Sequence, residues 1–353
     1  MKHFNRTVTI LVFIFLYVPM ILLAVASFNT GLDIATFKGF TLRQYANLFK
    51  DSTLLTLLRN SLIIAVLSSV IATVVGTMAA VGIHSMKGKL RSAVMTLTNI
   101  PMIVLAVASF NTGTDIASFK GFTLRQYANL FRDGTLLTLL RNSVIIALLA
   151  TLISTIVGTM AAVGIHGMKG RLRSAVMTMT NIPMTNPDIV TGVALALLFA
   201  FAGTVLKTNS VLGFWTLLIA HITFNLPYVI LNVMPKLQQM DKDLVEAALD
   251  LGCTPMQAFT KVVIHEIMPG IISGALMAFT MSLDDFVISY FVTGSSFITL
   301  PVEIYNYTKK PIQPKIYALF TLMFIVILVL MVVMNLLQAK SEKNRQQPRR
   351  ARA

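Results

Sequence analysis

The chain has 353 residues, of which 56% are hydrophobic and only 12% charged, with a formal net charge of +15. Soluble domains carry about 25% charged residues, so the composition leaves no room for a sizeable soluble domain. The apolar residues run on rather than alternate, which excludes an outer-membrane barrel, and the single cysteine, Cys253, excludes an intramolecular disulfide.

Apolar runs of about 20 residues, long enough to cross about 30 Å of hydrocarbon, recur along the chain. They predict an all-α polytopic transmembrane bundle with spans at 8–28, 61–83, 93–110, 143–165, 175–203, 211–234, 269–293 and 315–338. The first run is longer than a signal-peptide core. Its Ala24-Val25-Ala26, which resembles a cleavage site, recurs at 106–108, so the first span reads as uncleaved.

Residues 19–100 return as residues 101–182 at a constant offset of 82, with 82 − 15 = 67 positions identical. The differences are mild, such as Leu62/Val144, Lys50/Arg132 and Ser85/Gly167. Removing one copy leaves 353 − 82 = 271 residues, which reads as a smaller membrane protein carrying an insertion. The expected organisation is a first copy of a two-span unit at 1–100, a six-span core at 101–338, and a basic tail at 339–353. Gly76 and Gly158, equivalent in the two copies, read as points of close helix packing.

Basic residues set the orientation. The short loops His84–Arg91 and His166–Arg173 each hold three Lys or Arg, and the tail from Lys340 to Arg352 holds six. Both termini are therefore expected in the cytoplasm. The repeated Phe-Lys-Gly-Phe-Thr-Leu-Arg-Gln-Tyr segments, within 29–60 and 111–142, read as external amphipathic elements at the interface. Trp215 reads as an interfacial anchor.

The cytoplasmic connection 235–267 carries helix punctuation. Asp241 can cap a first helix, whose apolar stripe is Leu244, Ala247, Ala248 and Leu251. Gly252 suits a left-handed helix end. Thr254, Pro255 and Gln257 form a capping-box pattern for a second helix. The result is a bent pair of short helices outside the membrane.

Of 14 acids, three fall within apolar spans: Asp188, Asp284 and Asp285. A carboxylate at mid-bilayer costs about 3 kcal/mol or more, so each is expected to face a cavity or a partner. Asn186-Pro187 breaks the span just before Asp188, and a broken helix beside a buried charge is a common transport-site form. Asp284 and Asp285 should diverge by about 100° on a helix, so that one binds substrate while the other meets a second subunit. No Lys or Arg lies deep in a span to pair with them. His221 reads as a packed, hydrogen-bonded histidine, and Glu303 as an external acid. No phosphate-binding loop, metal cluster or nucleophile–base pair is present, so neither catalysis nor a cofactor is expected.

Glu246-Ala247-Ala248, then Gly252, then Pro269-Gly270 resembles the EAA loop of ABC importer permeases. His265-Glu266 stand where that family usually has Leu-Pro. The series Asn186-Pro187-Asp188-Ile189-Val190, Leu212-Gly213-Phe214-Trp215, Ser282-Leu283-Asp284-Asp285-Phe286 and Leu300-Pro301-Val302-Glu303 is similar to the second permease subunit of spermidine/putrescine importers. That resemblance, which covers roughly 101–338 and returns in the first copy, implies a type I ABC importer permease in a bacterial inner membrane. It also implies four kinds of partner: membrane lipid, cytoplasmic ATPase subunits, a sister permease and a periplasmic polyamine-binding protein. The substrate pathway is expected at Asp188, Ser282, Asp284 and Asp285. The implied ATPase-coupling set is Glu246, Ala247, Ala248 and Gly252, with the stripe seated in a groove of the ATPase. The residues leave open a permease for phosphonate, thiamine or ferric ion, and an ion-coupled carrier, although acids in the spans disfavour an anion.

Overall fold

The computed structural model describes residues 2–31, 37–86, 100–113, 119–207, 212–241, 243–295, 297–309, 314–329 and 332. The chain is helical, in the order α1 (Lys2–Ser27), α2 (Arg43–Lys50), α3 (Ser52–Ser85), α4 (Ile100–Ser109), α5 (Arg125–Arg132), α6 (Gly134–His166), α7 (Gly170–Thr185) and α8 (Asp188–Leu206). There follow α9 (Phe214–Gln239), α10 (Asp243–Asp250), α11 (Pro255–Ala258), a π-helical turn (Phe259–Val263), α12 (Ile264–Asp284), α13 (Val287–Val292), α14 (Leu300–Thr308) and α15 (Pro314–Val329). Among the described residues the only strand-like pairing is two isolated bridges, Asn29 with Phe40 and Asn111 with Phe122.

Six helical stretches among the described residues are long and apolar enough to span a membrane: Thr7–Ser27, Ser52–Ile83, Gly134–His166, Asp188–Leu206, Phe214–Gln239 and Pro255–Asp284. Eight were expected; the third and eighth run into residues outside the described ones, and two others are interrupted locally. Of the span at 93–110, residues 93–99 lie outside the described residues, and the rest is the short α4. The span at 175–203 is divided by Asn186-Pro187 between α7 and α8. The span at 269–293 starts earlier, at Pro255, and is cut at Asp285-Phe286. The last span is described only to residue 329 and at 332, and the tail 339–353 lies outside the described residues.

The chain forms two compact units. One comprises residues 1–24, 133–312 and 325–353; the other comprises 25–132 and 313–324. In the first, α9 packs against α6 and α12, α6 packs against α12, and α13 packs against α8. One core cluster joins Val12 and Leu16 of α1, Ala161, Ala162 and Ile165 of α6, Ile267 of α12, and the α9 ladder Leu226, Val229, Ile230, Val233, Met234 and Leu237. A second joins Ile146 and Ala150 of α6, Leu195 and Phe199 of α8, Leu217 and Leu218 of α9, and Ile288 and Val292 of α13. Glycines set the close approaches, because a helix without a Cβ lets another backbone come near. A Cβ on Gly274 would lie 3.2 Å from Val229 Cα, and one on Gly192 would lie 2.9 Å from Phe291 Cδ2.

The working bundle was expected from about residue 101 onward, with spans one and two packing at its periphery or competing for the same slot. The first-span position in the first unit is held by α1: Thr9 Oγ1 donates to the Ala161 carbonyl at 3.4 Å, and Tyr17 OH donates to the Met179 carbonyl at 2.6 Å. The physical reason is that residues 1–18 precede the repeat and have no second copy. The second-span position is held by α6, from copy two.

The second unit holds α2, α3, α4 and α5. It builds the same turn twice. Asn29 Oδ1 accepts from the backbone N–H of Gly31 and Lys38, and Asn111 Oδ1 accepts from Gly113 and Lys120. Phe28 stacks on Phe40 at 5.2 Å, as Phe110 does on Phe122 at 5.1 Å. Asp51 caps α3 by accepting from Thr53 N and Leu54 N. No residue of the spanning stretch of α3 is buried. A Cβ on Gly76 would meet nothing within 4 Å.

Candidate functional site

The acids expected in the spans sit at two helix breaks. At the first, α7 ends at Thr185 and α8 begins at Asp188. Pro187 lacks the N–H that would continue the helix, and Asn186 Nδ2 donates to Thr191 Oγ1 at 2.8 Å across the break. Asp188 is thus the first residue of α8, where free backbone N–H groups favour a negative charge. Its side chain is exposed.

The second break lies between α12 and α13. Asp284 is the last residue of α12 and is exposed. Asp285 follows in extended backbone and turns inward, its side chain only 7% exposed. Its Oδ1 accepts from Ile288 N at 3.2 Å, and its Oδ2 accepts from Ser289 N at 2.7 Å and Ser289 Oγ at 2.8 Å. It therefore satisfies the orphan N–H groups that open α13, as capping residues do. Asp188 and Asp284 each lie within Coulombic range of Asp285, and Asp188 within range of the Tyr228 phenol.

Asp285 also has a basic neighbour inside the chain. His221 of α9 is 2% exposed, and its Nε2 lies 3.5 Å from Asp285 Oδ2. The same nitrogen is 2.9 Å from Ser289 Oγ, and Nδ1 is 2.5 Å from Ser282 Oγ. Ser289 spends its one hydroxyl proton on Asp285, so its oxygen accepts from His221 Nε2–H. Ser282 is buried on α12 and faces the imidazole. The absence of Lys or Arg in the spans had left Asp285 without an expected internal partner. Counting bases that way overlooked a histidine 64 residues earlier on another helix (285 − 221 = 64).

The cytoplasmic segment bends as its punctuation requires. Asp241 Oδ1 accepts from Asp243 N, which opens α10. Gly252 has φ +83°, and Cys253 N donates to the Ala248 carbonyl at 3.0 Å, closing the helix end. Thr254 and Gln257 form the expected capping box at α11. The stripe, however, is divided. Ala248 is buried against its own chain, with Val245 beside the core, while Leu244, Glu246 and Ala247 are exposed and Leu251 is 85% exposed. An eight-residue helix presents both faces, and the core behind it takes one of them.

A family model described as "Binding-protein-dependent transport system inner membrane component" matches residues 154–346, and so takes in both breaks and this bent segment. The chain belongs to that family. Within these inner membrane components it is 39% identical over 242 residues to the spermidine/putrescine transport system permease protein PotC of Haemophilus influenzae, covering 69% of this chain and 92% of that protein. It is 34% identical over 240 residues to PotC of Escherichia coli K12, covering 68% and 89%. It is 35% identical over 252 residues to the putrescine transport system permease protein PotI of the same organism, covering 71% and 89%.

In this binding-protein-dependent permease the site brings Asp188, Ser282, Asp284 and Asp285 together around α13, in three different settings. Asp188 and Asp284 are exposed at helix ends, Asp285 is a buried cap, and Ser282 is a histidine ligand. Glu303 accepts from Asn306 Nδ2 within α14. Ser289 and Asn225 were not singled out in the sequence. Asn225 is fully buried one turn beyond His221, and neither end of its amide has a partner among the described residues. A His and an Asn four apart on an apolar span share a helix face, and that pairing was the available signal.

Proposed function

We propose that this chain is a permease subunit of an ATP-driven polyamine importer of a bacterial inner membrane, with both termini in the cytoplasm. It works with a sister permease, cytoplasmic ATPase subunits and a periplasmic polyamine-binding protein. The chain itself hydrolyses nothing and holds no cofactor. The observation that carries the substrate reading is the placement of two exposed carboxylates, Asp188 and Asp284, at two helix breaks, each within Coulombic range of a third acid, Asp285. A polyamine is a string of ammonium groups on an apolar chain. Carboxylates accompanied by aromatic groups, Tyr228 within range of Asp188 and the Phe286–Tyr290 pair at the second break, suit that pattern through charge and ring faces. The names of the PotC and PotI relatives support the same substrate class.

Coupling runs through the bent segment. Exposed Leu244, Ala247 and Leu251 fit a groove on the ATPase, Glu246 pairs with a base there, and Gly252 keeps the bend. Closure of the ATPase pair moves α10 and α11, and the continuous π-turn and α12 carry that movement to Asp284. Access to the two acids then alternates between the faces of the membrane.

The test is reconstitution of the full complex in liposomes, with uptake of labelled putrescine and spermidine measured with and without ATP. Asp188→Asn and Asp284→Asn should each lower uptake about tenfold, equivalent to about 1.4 kcal/mol. Normal uptake in both variants removes these acids from the pathway, and ATP-independent uptake removes the importer assignment.

A further inference from the structure

His221 touches both sides of the second break. Below it, Nδ1 meets Ser282 Oγ at 2.5 Å, on the last turn of α12. Above it, Nε2 meets Ser289 Oγ at 2.9 Å, on α13. Asp285 closes the loop by accepting from Ser289 twice and from Ile288 once. Three helices, α9, α12 and α13, are thereby tied at one imidazole. No backbone hydrogen bond of a continuous helix crosses Asp285-Phe286, so the break by itself is a joint that would absorb movement.

What lies at each end of the joint gives the tie a consequence. In one direction α12 continues without interruption through the π-turn and α11 to Pro255, three residues after the bend at Gly252. In the other direction α13 lies on α8: a Cβ on Gly192 would come 2.9 Å from Phe291 Cδ2 and 3.4 Å from Ile288 Cα. The helix that begins at Asp188 is therefore in contact with the helix whose first turn is held by His221. The groups facing the imidazole from its neighbours are Ser282 of α12, Ser289 of α13 and Asp285 of the break. It is buried, so it does not meet substrate in this chain.

We propose that His221 is a positioning residue for transport: it staples α12 to α13 across the break, so that movement arriving along α12 displaces Asp284 and Asp188 together. Asp285 belongs to the staple and does not bind substrate. This rests on the permease reading above and assigns a residue that transmits ATPase movement to the acids.

The experiment is the ratio of polyamine uptake to ATP hydrolysis in the complete complex reconstituted in liposomes. Wild-type uptake is the control for the substrate reading, and its failure bears on that reading alone. His221→Leu keeps side-chain bulk and loses both ties; hydrolysis should continue while the ratio falls at least about tenfold. His221→Gln keeps a donor towards Ser289 and should recover a substantial part of the ratio. The double variant Ser282→Ala/Ser289→Ala removes both hydroxyl ties with the imidazole in place, leaving only the 3.5 Å approach of Nε2 to Asp285 Oδ2, and should lower the ratio in the same direction as His221→Leu. It serves as the deciding variant if His221→Leu fails to assemble. A purely structural role lowers assembled protein, so uptake and hydrolysis fall in parallel and the ratio stays constant. A constant ratio in the assembled variants, or a normal one in the serine pair, overturns the proposal.

Discussion

Gly158 of α6 lies against Val229 of α9 so closely that a Cβ at 158 would stand 2.8 Å from Val229 Cγ1. Its counterpart in the repeat, Gly76, has the same neighbours in sequence and nothing within 4 Å. One residue type in one local sequence therefore has two different energetic meanings. Gly158→Leu should cost about 1–3 kcal/mol through overpacking and lower the thermal stability of the purified protein. Gly76→Leu should leave the melting temperature unchanged. Equal losses from the two substitutions would mean that both copies are packed.

Deleting residues 19–100 joins Val18 to Pro101. The packed half of α1, with Val12 and Leu16, lies before the junction, and all of α6 lies after it. The chain that follows the junction repeats the deleted one: Met102 replaces Met20, which lines a small cavity with Leu16, Pro183 and Tyr228. Two spans are removed together, so downstream sidedness is kept. The deletion protein should insert and transport as well as the full chain at matched membrane levels. A stably inserted deletion protein without uptake would make copy one part of the working machine.

Gly252 holds a left-handed backbone at φ +83° with open space around it. A bulky residue there meets no neighbour, and its cost is the backbone term, about 1–2 kcal/mol. Gly252→Val and Glu246→Arg should therefore leave the bundle folded and the binding protein's affinity intact while transport is lost. Pull-down of the ATPase on tagged permease gives the check: retention of both association and uptake contradicts a coupling role for this segment.

Asp285→Ala removes the acceptor for three donors at the start of α13 and should cost about 1–2 kcal/mol, as loss of a helix cap does. Asp188→Ala and Asp284→Ala remove exposed carboxylates and should leave the melting temperature of the assembled complex nearly unchanged. The same unfolding curves measured on all three variants separate the cap from the two exposed acids. An Asp285→Ala protein as stable as wild type would show that the cap contributes nothing.

Much of the site was legible because its causes are local. The break before Asp188 follows from Pro187, which cannot donate to a continuing helix. The bend at Gly252 and the box of Thr254 and Gln257 follow from backbone conformation and hydrogen bonds within a few residues. The inward turn of Asp285 was not legible in the same way. Asp284 and Asp285 are the same residue type side by side, and helical spacing alone offered only a difference in direction. Which of them becomes a cap depends on where α12 ends, and α12 ends where His221 and Ser289 are present to receive the carboxylate.

The sequence by itself determined that this chain is a set of membrane-spanning helices, where those helices are punctuated, and that acids occur among apolar residues. Chain length against bilayer thickness, the geometry of Pro and Gly, and the cost of burying charge act on neighbouring residues, so they can be read in order. Only the tertiary structure decided that the glycine of α6 packs against another helix, and which of three acids is bonded inside the bundle. Those outcomes depend on what lies across a helix interface: Val229 is opposite Gly158, and His221 is opposite Asp285 and not Asp284. Residues brought together from distant parts of the chain carry no mark of that meeting in their own local pattern.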